Sequence, residues 1–248
     1  VDLGIAGKRA AVAAASGGLG YASAEVLVAE GAQVTICGSD EDRARAAAEK
    51  LGAQYLVTDL RDPEAAAGFV DQARERMGGL DILVVNGPGP KPGTVAETVL
   101  GDYQAALDRS LLAVVGMCLA AAPGMQAQGW GRIVAITSIG VRQPLHNLVL
   151  SNTARAGATG FLRTLAREIA RDGVTVNSLQ PASHLTNRLR SMAENEEALA
   201  RAAEDIPAGR LGAPEDFGAI VAFLCSRQAG YLTGAAIPVD GGAYQALL

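Results

Sequence analysis

RAAVAAASGGLG, residues 9–20, is an apolar run that ends in a glycine-rich turn. The run is continuous rather than alternating, which reads as a strand buried on both faces. ASAEVLVAEGA follows with a helical pattern, so the turn joins a first strand to a first helix. In that position Gly18 and Gly20 let backbone approach a pyrophosphate, and the helix N-terminus favours the negative charge. Tight strand–helix packing also calls for glycine, so the turn by itself assigns no ligand.

The same rhythm continues outward. QVTICG (33–38), QYLVTDL (54–60), DILVVN (81–86), GRIVAITS (131–138), VTVNSLQP (174–181) and AAIPVDGG (235–242) are strand-like, with helical patterns between them. Seven such strands predict one α/β domain over residues 1–248: a doubly wound, Rossmann-type parallel sheet with helices on both faces. The run LLAVVGMCLAAA (111–122) is too short for a membrane span and predicts a helix apolar on all sides, hidden in the core or a subunit interface. The charged segment 184–209 interrupts the rhythm after the sixth strand. It is expected over the carboxyl ends of the strands, either as a lid or as a solvated helix pair.

Composition narrows the partners. A net charge of −5 with dispersed Lys and Arg argues against nucleic acid. Cys37, Cys118 and Cys225 form no CxxC, and His146 and His184 lack ligand spacing, so neither a disulfide framework nor a metal site is expected. No signal-peptide pattern opens the sequence given, and a reducing cytoplasm is the expected compartment, with no membrane partner.

The turn, Asp59 in VTDL, Asn86 in DILVVNGPG, Ser138 ending GRIVAITS, the TVNSLQP strand, IPAGRLGAPED and YLTGAAIPVDGG together resemble the short-chain dehydrogenase/reductase family over the whole chain. The resemblance implies NAD(P)(H)-linked interconversion of a ketone and a secondary alcohol. It also implies cofactor contacts at Ser16, Gly18, Leu19, Gly20, Ser39, Asp59, Leu60, Asn86 and Pro181, and a dimer or tetramer. The family turn reads TGxxxGxG, and its threonine and first glycine are Ala13 and Ala14 here, with Gly17 available to reroute the loop. The second strand closes on Gly38 and Ser39, with Asp40 and Arg43 beyond. No acid at 38 repels a 2′-phosphate, which tips the choice between NADP and NAD toward NADP.

The family's catalytic Ser corresponds to Ser138, and its YxxxK pair to Ser151 and Arg155; its additional Asn aligns with Ser110. An aliphatic hydroxyl is a poor proton donor beside a phenol, and a guanidinium holds hydroxyls without relaying protons. Three readings stay open. The first is an oxidoreductase working through Ser138, Ser151 and Arg155, with His146 or His184 as candidate substitute acids. The second is a catalytically silent subunit paired with an active paralogue in a hetero-oligomer. The third, weakened by the absent Tyr, is a dehalogenase-like activity. Ser151 and Arg155 also have a plain structural reading, as a first-turn serine and an arginine paired to a carboxylate or to a neighbouring subunit. The substrate expected is a small carbonyl or alcohol; Arg188 and Arg190 of the insertion would suit an anionic or CoA-linked one, or are simply solvated charges, the plainer reading.

Overall fold

The computed structural model describes residues 1–193 and 195–247. Its elements run β1 (Arg9–Val12), α1 (Gly18–Ala29), β2 (Gln33–Gly38), α2 (Glu41–Leu51), β3 (Gln54–Val57), α3 (Pro63–Met77) and β4 (Ile82–Val85). α4 (Leu100–Leu107), α5 (Ala113–Ala127), β5 (Gly131–Ile136), α6 (Val149–Ile169), β6 (Val174–Pro181), α7 (Asn187–Met192), α8 (Glu196–Glu204), α9 (Pro214–Cys225) and β7 (Ala236–Val239) follow. All seven strands are parallel, in the order β3-β2-β1-β4-β5-β6-β7. The winding reverses between β1 and β4, and open α/β sheets bind ligands outside the carboxyl ends of the strands at such a reversal.

Both faces of the sheet are covered, which is why the strands read as unbroken apolar runs. Ala11, Leu83, Val85, Ile133 and Ala135 pack with Phe69 of α3 and Met117 and Met125 of α5. Ala10, Val12, Ile36, Ile82, Val84 and Val134 pack on the other face with Leu27 of α1 and Phe217 and Val221 of α9. Small residues let the covering helices touch backbone to backbone: a Cβ on Gly218 of α9 would lie 2.4 Å from the Ala22 carbonyl oxygen of α1.

α4 and α5 are joined through a π-helical turn, Asp108–Leu112. The combined stretch Leu100–Ala127 spans 28 residues with a mean hydropathy of 1.6, long and apolar enough to cross a membrane by length and composition. Here α5 instead sends Met117, Cys118, Ala121 and Met125 into the core. The opposite side stays open in the single chain, where Leu112 and Leu119 are 42% and 58% exposed. Pro123 lies inside α5 rather than ending it.

Candidate active site at the sheet reversal

The turn after β1 carries backbone strain. Ala14 sits at φ +48°, in the left-handed region, where a side-chain methyl costs about 1–2 kcal/mol. Gly17 gives no relief, since its φ of 177° is extended backbone open to any residue. Gly20 is dictated by space: a Cβ there would stand 2.5 Å from the Ala14 oxygen and 2.9 Å from Asn86 Nδ2. Asn86, just past β4, donates from Nδ2 to that same Ala14 oxygen at 3.3 Å, so the two strands flanking the reversal are tied at their ends. α1 begins without a side-chain cap or a first-turn acid. The N–H groups of its first turn, at Gly18, Leu19 and Gly20, therefore face the crevice without intrahelical acceptors. Backbone donors at a helix N-terminus with no carboxylate among them fit a pyrophosphate.

The far end of the crevice is lined by β2 and β3. Gly38 ends β2 beside Ser16, and a Cβ on Gly38 would lie 3.0 Å from Ser16 Oγ. An acidic side chain at 38 would have to displace that hydroxyl. Ser39 is exposed. Asp40 caps α2 by accepting Arg43 N–H at 2.9 Å, and Arg43 Nε lies 3.6 Å from the same carboxylate. Beyond β3, Leu60 is buried. Asp59 accepts from Arg61 Nε and Nη2 at 2.9 and 2.6 Å, and these hydrogen bonds hold its carboxyl below the usual carboxylate range. Pro181 closes β6, paired with Val239 of β7.

Ser138 follows β5, and its Oγ accepts Gly140 N–H at 3.0 Å, which leaves the hydroxyl proton for another acceptor. Ser151 lies in the first turn of α6, and its hydroxyl has no hydrogen-bond partner among the described residues. Arg155, one turn on, donates from Nη1 to the Ile136 and Thr137 carbonyls at 2.9 and 3.1 Å. It is therefore anchored on the carboxyl end of β5 and has no carboxylate within 4.0 Å among the described residues; the carboxylate-paired reading of Arg155 is set aside. Burial pushes its guanidinium down to about 10, with Arg188 adding repulsion. Asn152 fixes the intervening loop: its Nδ2 donates to Leu145 O at 2.9 Å and its Oδ1 accepts Leu145 N–H at 3.3 Å. Ser110, in the π-turn, is buried and its Oγ has no partner among the described residues, and neither has either amide atom of buried Gln180 in β6.

The insertion at 184–209 forms α7 and α8, with Glu194 lying outside the described residues. Its base is pinned by Leu185 N–H to Gly212 O and Gly212 N–H to Ser183 O, at 2.9 and 3.0 Å. A Cβ on Gly18 would lie 3.7 Å from Thr186 Cγ2, so the start of α7 stands over the glycine turn. His184 is packed edge-on to Phe217 with Nδ1 3.2 Å from Ala182 O, and burial lowers its pKa. Its ring fills the space beside Gly212, where a Cβ would come within 2.5 Å; this is a packing histidine. His146 is exposed and near enough to Glu97 to favour that carboxylate. The three cysteine thiols are buried and pushed up to about 12, which removes them as nucleophiles.

Residues 13–244 match the family model described as enoyl-(acyl carrier protein) reductase. The 3-oxoacyl-(acyl-carrier-protein) reductase of Salmonella typhimurium is 34% identical over 242 residues, covering 96% of this chain and 98% of that protein. The chain belongs to the short-chain dehydrogenase/reductase family. Among its other relatives within that family, the acetoacetyl-CoA reductase of Cupriavidus necator is 29% identical over 232 residues, covering 91% of this chain and 94% of that one. The L-sorbose reductase of Gluconobacter frateurii, solved as a complex with NADPH and L-sorbose, superposes with a TM-score of 0.93 at 33% identity, covering all of both chains.

Within this dehydrogenase/reductase frame the structure gathers the sequence-selected residues at one edge. Ser16, Gly18, Leu19, Gly20, Ser39, Asp59, Leu60 and Asn86 follow β1, β2, β3 and β4, while Ser138, Pro181 and the α6 pair Ser151 and Arg155 flank the ends of β5 and β6. Sequence reading passed over Asn152 and Thr186. Thr186 had a usable signal, because its hydroxyl caps α7 by accepting Leu189 N–H at 3.3 Å.

Proposed function

We propose that this chain interconverts a ketone and a secondary alcohol with NADP(H), through a catalytic site in which Ser151 and Arg155 stand where the family has Tyr and Lys. The observation that carries the reading is the joint preservation of two ends of one crevice. An acid-free set of backbone donors lies at the start of α1, and Arg155 is bonded to the carbonyls of Ile136 and Thr137, next to Ser138. The nicotinamide cofactor, when bound, supplies or accepts the hydride. Gly18, Leu19 and Gly20 would hold its pyrophosphate, Ser16, Ser39 and Arg43 its 2′-phosphate, and Arg155 a ribose hydroxyl.

Ser138 would donate its free O–H to the substrate oxygen. Ser151 would add a second hydroxyl but no accessible pKa, and a guanidinium near 10 stays protonated at neutral pH. Lacking a positioned acid typically costs roughly 10²–10⁴ in rate, so slow turnover is the expected behaviour. The same deficit supports a second reading, a silent subunit beside an active paralogue, for which the exposed Leu112 and Leu119 of the long helix offer an apolar contact face. α7 and α8 would act as the lid.

Titration of the purified chain with NADPH and NADH, followed by cofactor fluorescence, tests the reading. NADPH is expected to bind more tightly, and Gly38→Asp to reverse the order; no binding of either nucleotide would sink it. Slow NADPH oxidation by the isolated chain favours the enzyme, whereas oxidation only when a YxxxK-bearing chain co-purifies favours the silent subunit.

A further inference from the structure

Residues 240–245, which follow β7, bond to two parts of the protein that are far apart in sequence. Asp240 folds this segment into one unit: its carboxylate accepts Gly242 N–H at 3.0 Å and Tyr244 N–H at 2.7 Å. Hydrogen bonds to a charged acceptor are roughly twice as strong as neutral ones, so the turn is firm. On one side the unit meets the end of the insertion. Ala208 donates to Gly241 O at 3.0 Å. Gly241 sits at φ +65°, and a Cβ on it would stand 2.7 Å from Cγ2 of buried Ile206.

On the other side the unit meets the turn that follows Ser138. Gln245 donates its N–H to Gln143 Oε1 at 3.2 Å. The guanidinium of Arg142 lies 5.6 Å from the ring centre of Tyr244, within cation–π reach, and donates to Ala236 O of β7 at 2.8 Å. Ser138 to Gln143 is itself a closed turn. Ser138 accepts Gly140 N–H on Oγ and Val141 N–H on its carbonyl oxygen, and Ile139 O accepts Arg142 and Gln143 N–H, all at 3.0 to 3.2 Å. A shift at Gln143 is therefore carried to the Ser138 hydroxyl instead of being absorbed on the way. Among the described residues no hydrogen bond runs directly from 205–209 to 139–147, whereas the segment after β7 bonds to both.

We propose that residues 240–245 form a strap that positions Ser138 according to where the end of the insertion sits, with Gln143 and Tyr244 as positioning residues. Its use in catalysis rests on the reading of the crevice as an oxidoreductase site: an insertion settled over bound nucleotide would draw the Ser138 turn into register through the strap. The coupling itself is a property of the fold.

Hydrogen–deuterium exchange followed by mass spectrometry tests the strap one end at a time, on the full chain without nucleotide. Gly241→Ala pushes on Ile206 and should speed exchange at 139–147 by about fivefold or more. Gln143→Ala removes the bond to Gln245 and should speed exchange at 205–209 by a comparable factor, because coupling is reciprocal. Gln143→Glu keeps the acceptor and should restore the original rate there. Exchange in β1 and β4 should stay unchanged throughout. Gln143 is half-buried, so its variants are expected to fold, and they decide the matter should Gly241→Ala not fold. The proposal is overturned if each variant speeds exchange only at its own end, if Gln143→Glu behaves like Gln143→Ala, or if β1 and β4 loosen equally, since the segment then serves general stability alone. The measurement needs no turnover: failure of NADPH to bind would sink the oxidoreductase reading and leave the strap standing.

Discussion

The side chain of Asn152 grips the backbone of Leu145 at both its carbonyl and its N–H, at 2.9 and 3.3 Å. It also presses on Gly140, where a Cβ would fall 2.5 Å from Asn152 Oδ1. Gly140 in turn donates to Ser138. One amide thus couples the start of α6, carrying Ser151, to the segment that carries Ser138. Asn152→Ala removes both bonds and should cost about 1–3 kcal/mol, lowering Tm by several degrees. Any measured turnover should fall through kcat more than through KM, because the two hydroxyls lose their mutual register while the nucleotide turn is untouched.

Ala14→Gly is expected to stabilise the protein. The left-handed methyl costs about 1–2 kcal/mol, against about 0.5–1 kcal/mol for the extra backbone freedom of glycine in the unfolded chain. Tm should rise by about 1–4 °C in a thermal melt, with NADPH affinity equal or improved; a fall in Tm would show that the methyl packs more favourably than its torsion costs.

Ser151→Tyr combined with Arg155→Lys should raise the reduction rate toward a generic diketone by about 10²-fold or more. Each single change should do much less. A phenol needs the neighbouring ammonium to bring its pKa into range, and the ammonium alone donates nothing useful. Steady-state NADPH oxidation reads the result, and brisk turnover by the unaltered chain would refute the deficit argued for Ser151.

Asp81 sets the acid limit of stability. It is 5% exposed and accepts from Arg9 Nε at 2.7 Å, Arg9 Nη2 at 3.1 Å and Arg9 N–H at 2.9 Å. Burial works against its ionisation, but these bonds and the nearby Lys8 win, and its pKa is lowered. A depressed carboxylate contributes stability that is present above its unfolded value of about 3.9 and is lost as pH falls through the folded value. Urea midpoints should therefore hold at neutral pH and drop below about pH 4. Asp81→Asn, which leaves Arg9 without its counter-charge, should cost about 3 kcal/mol near pH 7 and flatten the acid limb.

The seven strands were legible because parallel strands covered on both faces carry unbroken runs such as ILVV at 82–85, with turn residues marking their ends. The crevice was legible wherever a short motif fixes a residue to a strand end, as with Asn86 and Ser138. Ala14 was readable as an oddity, but only its φ of +48° shows that the methyl is borne in the left-handed region and not relieved at Gly17. The grip of Asn152 on Leu145 and the hold of Gln143 on Gln245 leave no periodic trace. Each pairs a side chain with backbone in a loop whose path is set by tertiary packing. The phase change at Asp108–Leu112 was hidden for a related reason, since an apolar stretch without polar punctuation shows no slip in its period.

That π-turn has a consequence for how the rest of the chain is keyed. Upstream of it, Ala106 packs with Leu150 and Ala154 of α6; downstream, Ala113, Met117 and Met125 join the cluster beneath the sheet. Excising one residue between Asp108 and Leu112 would let the turn close as regular α-helix with both faces kept, whereas excising one within α5, where no slack exists, would rotate everything beyond the cut by about 100°. The surplus amino acid works here as slack in the thread, the one place in this long helix where a length change leaves both contact faces aligned.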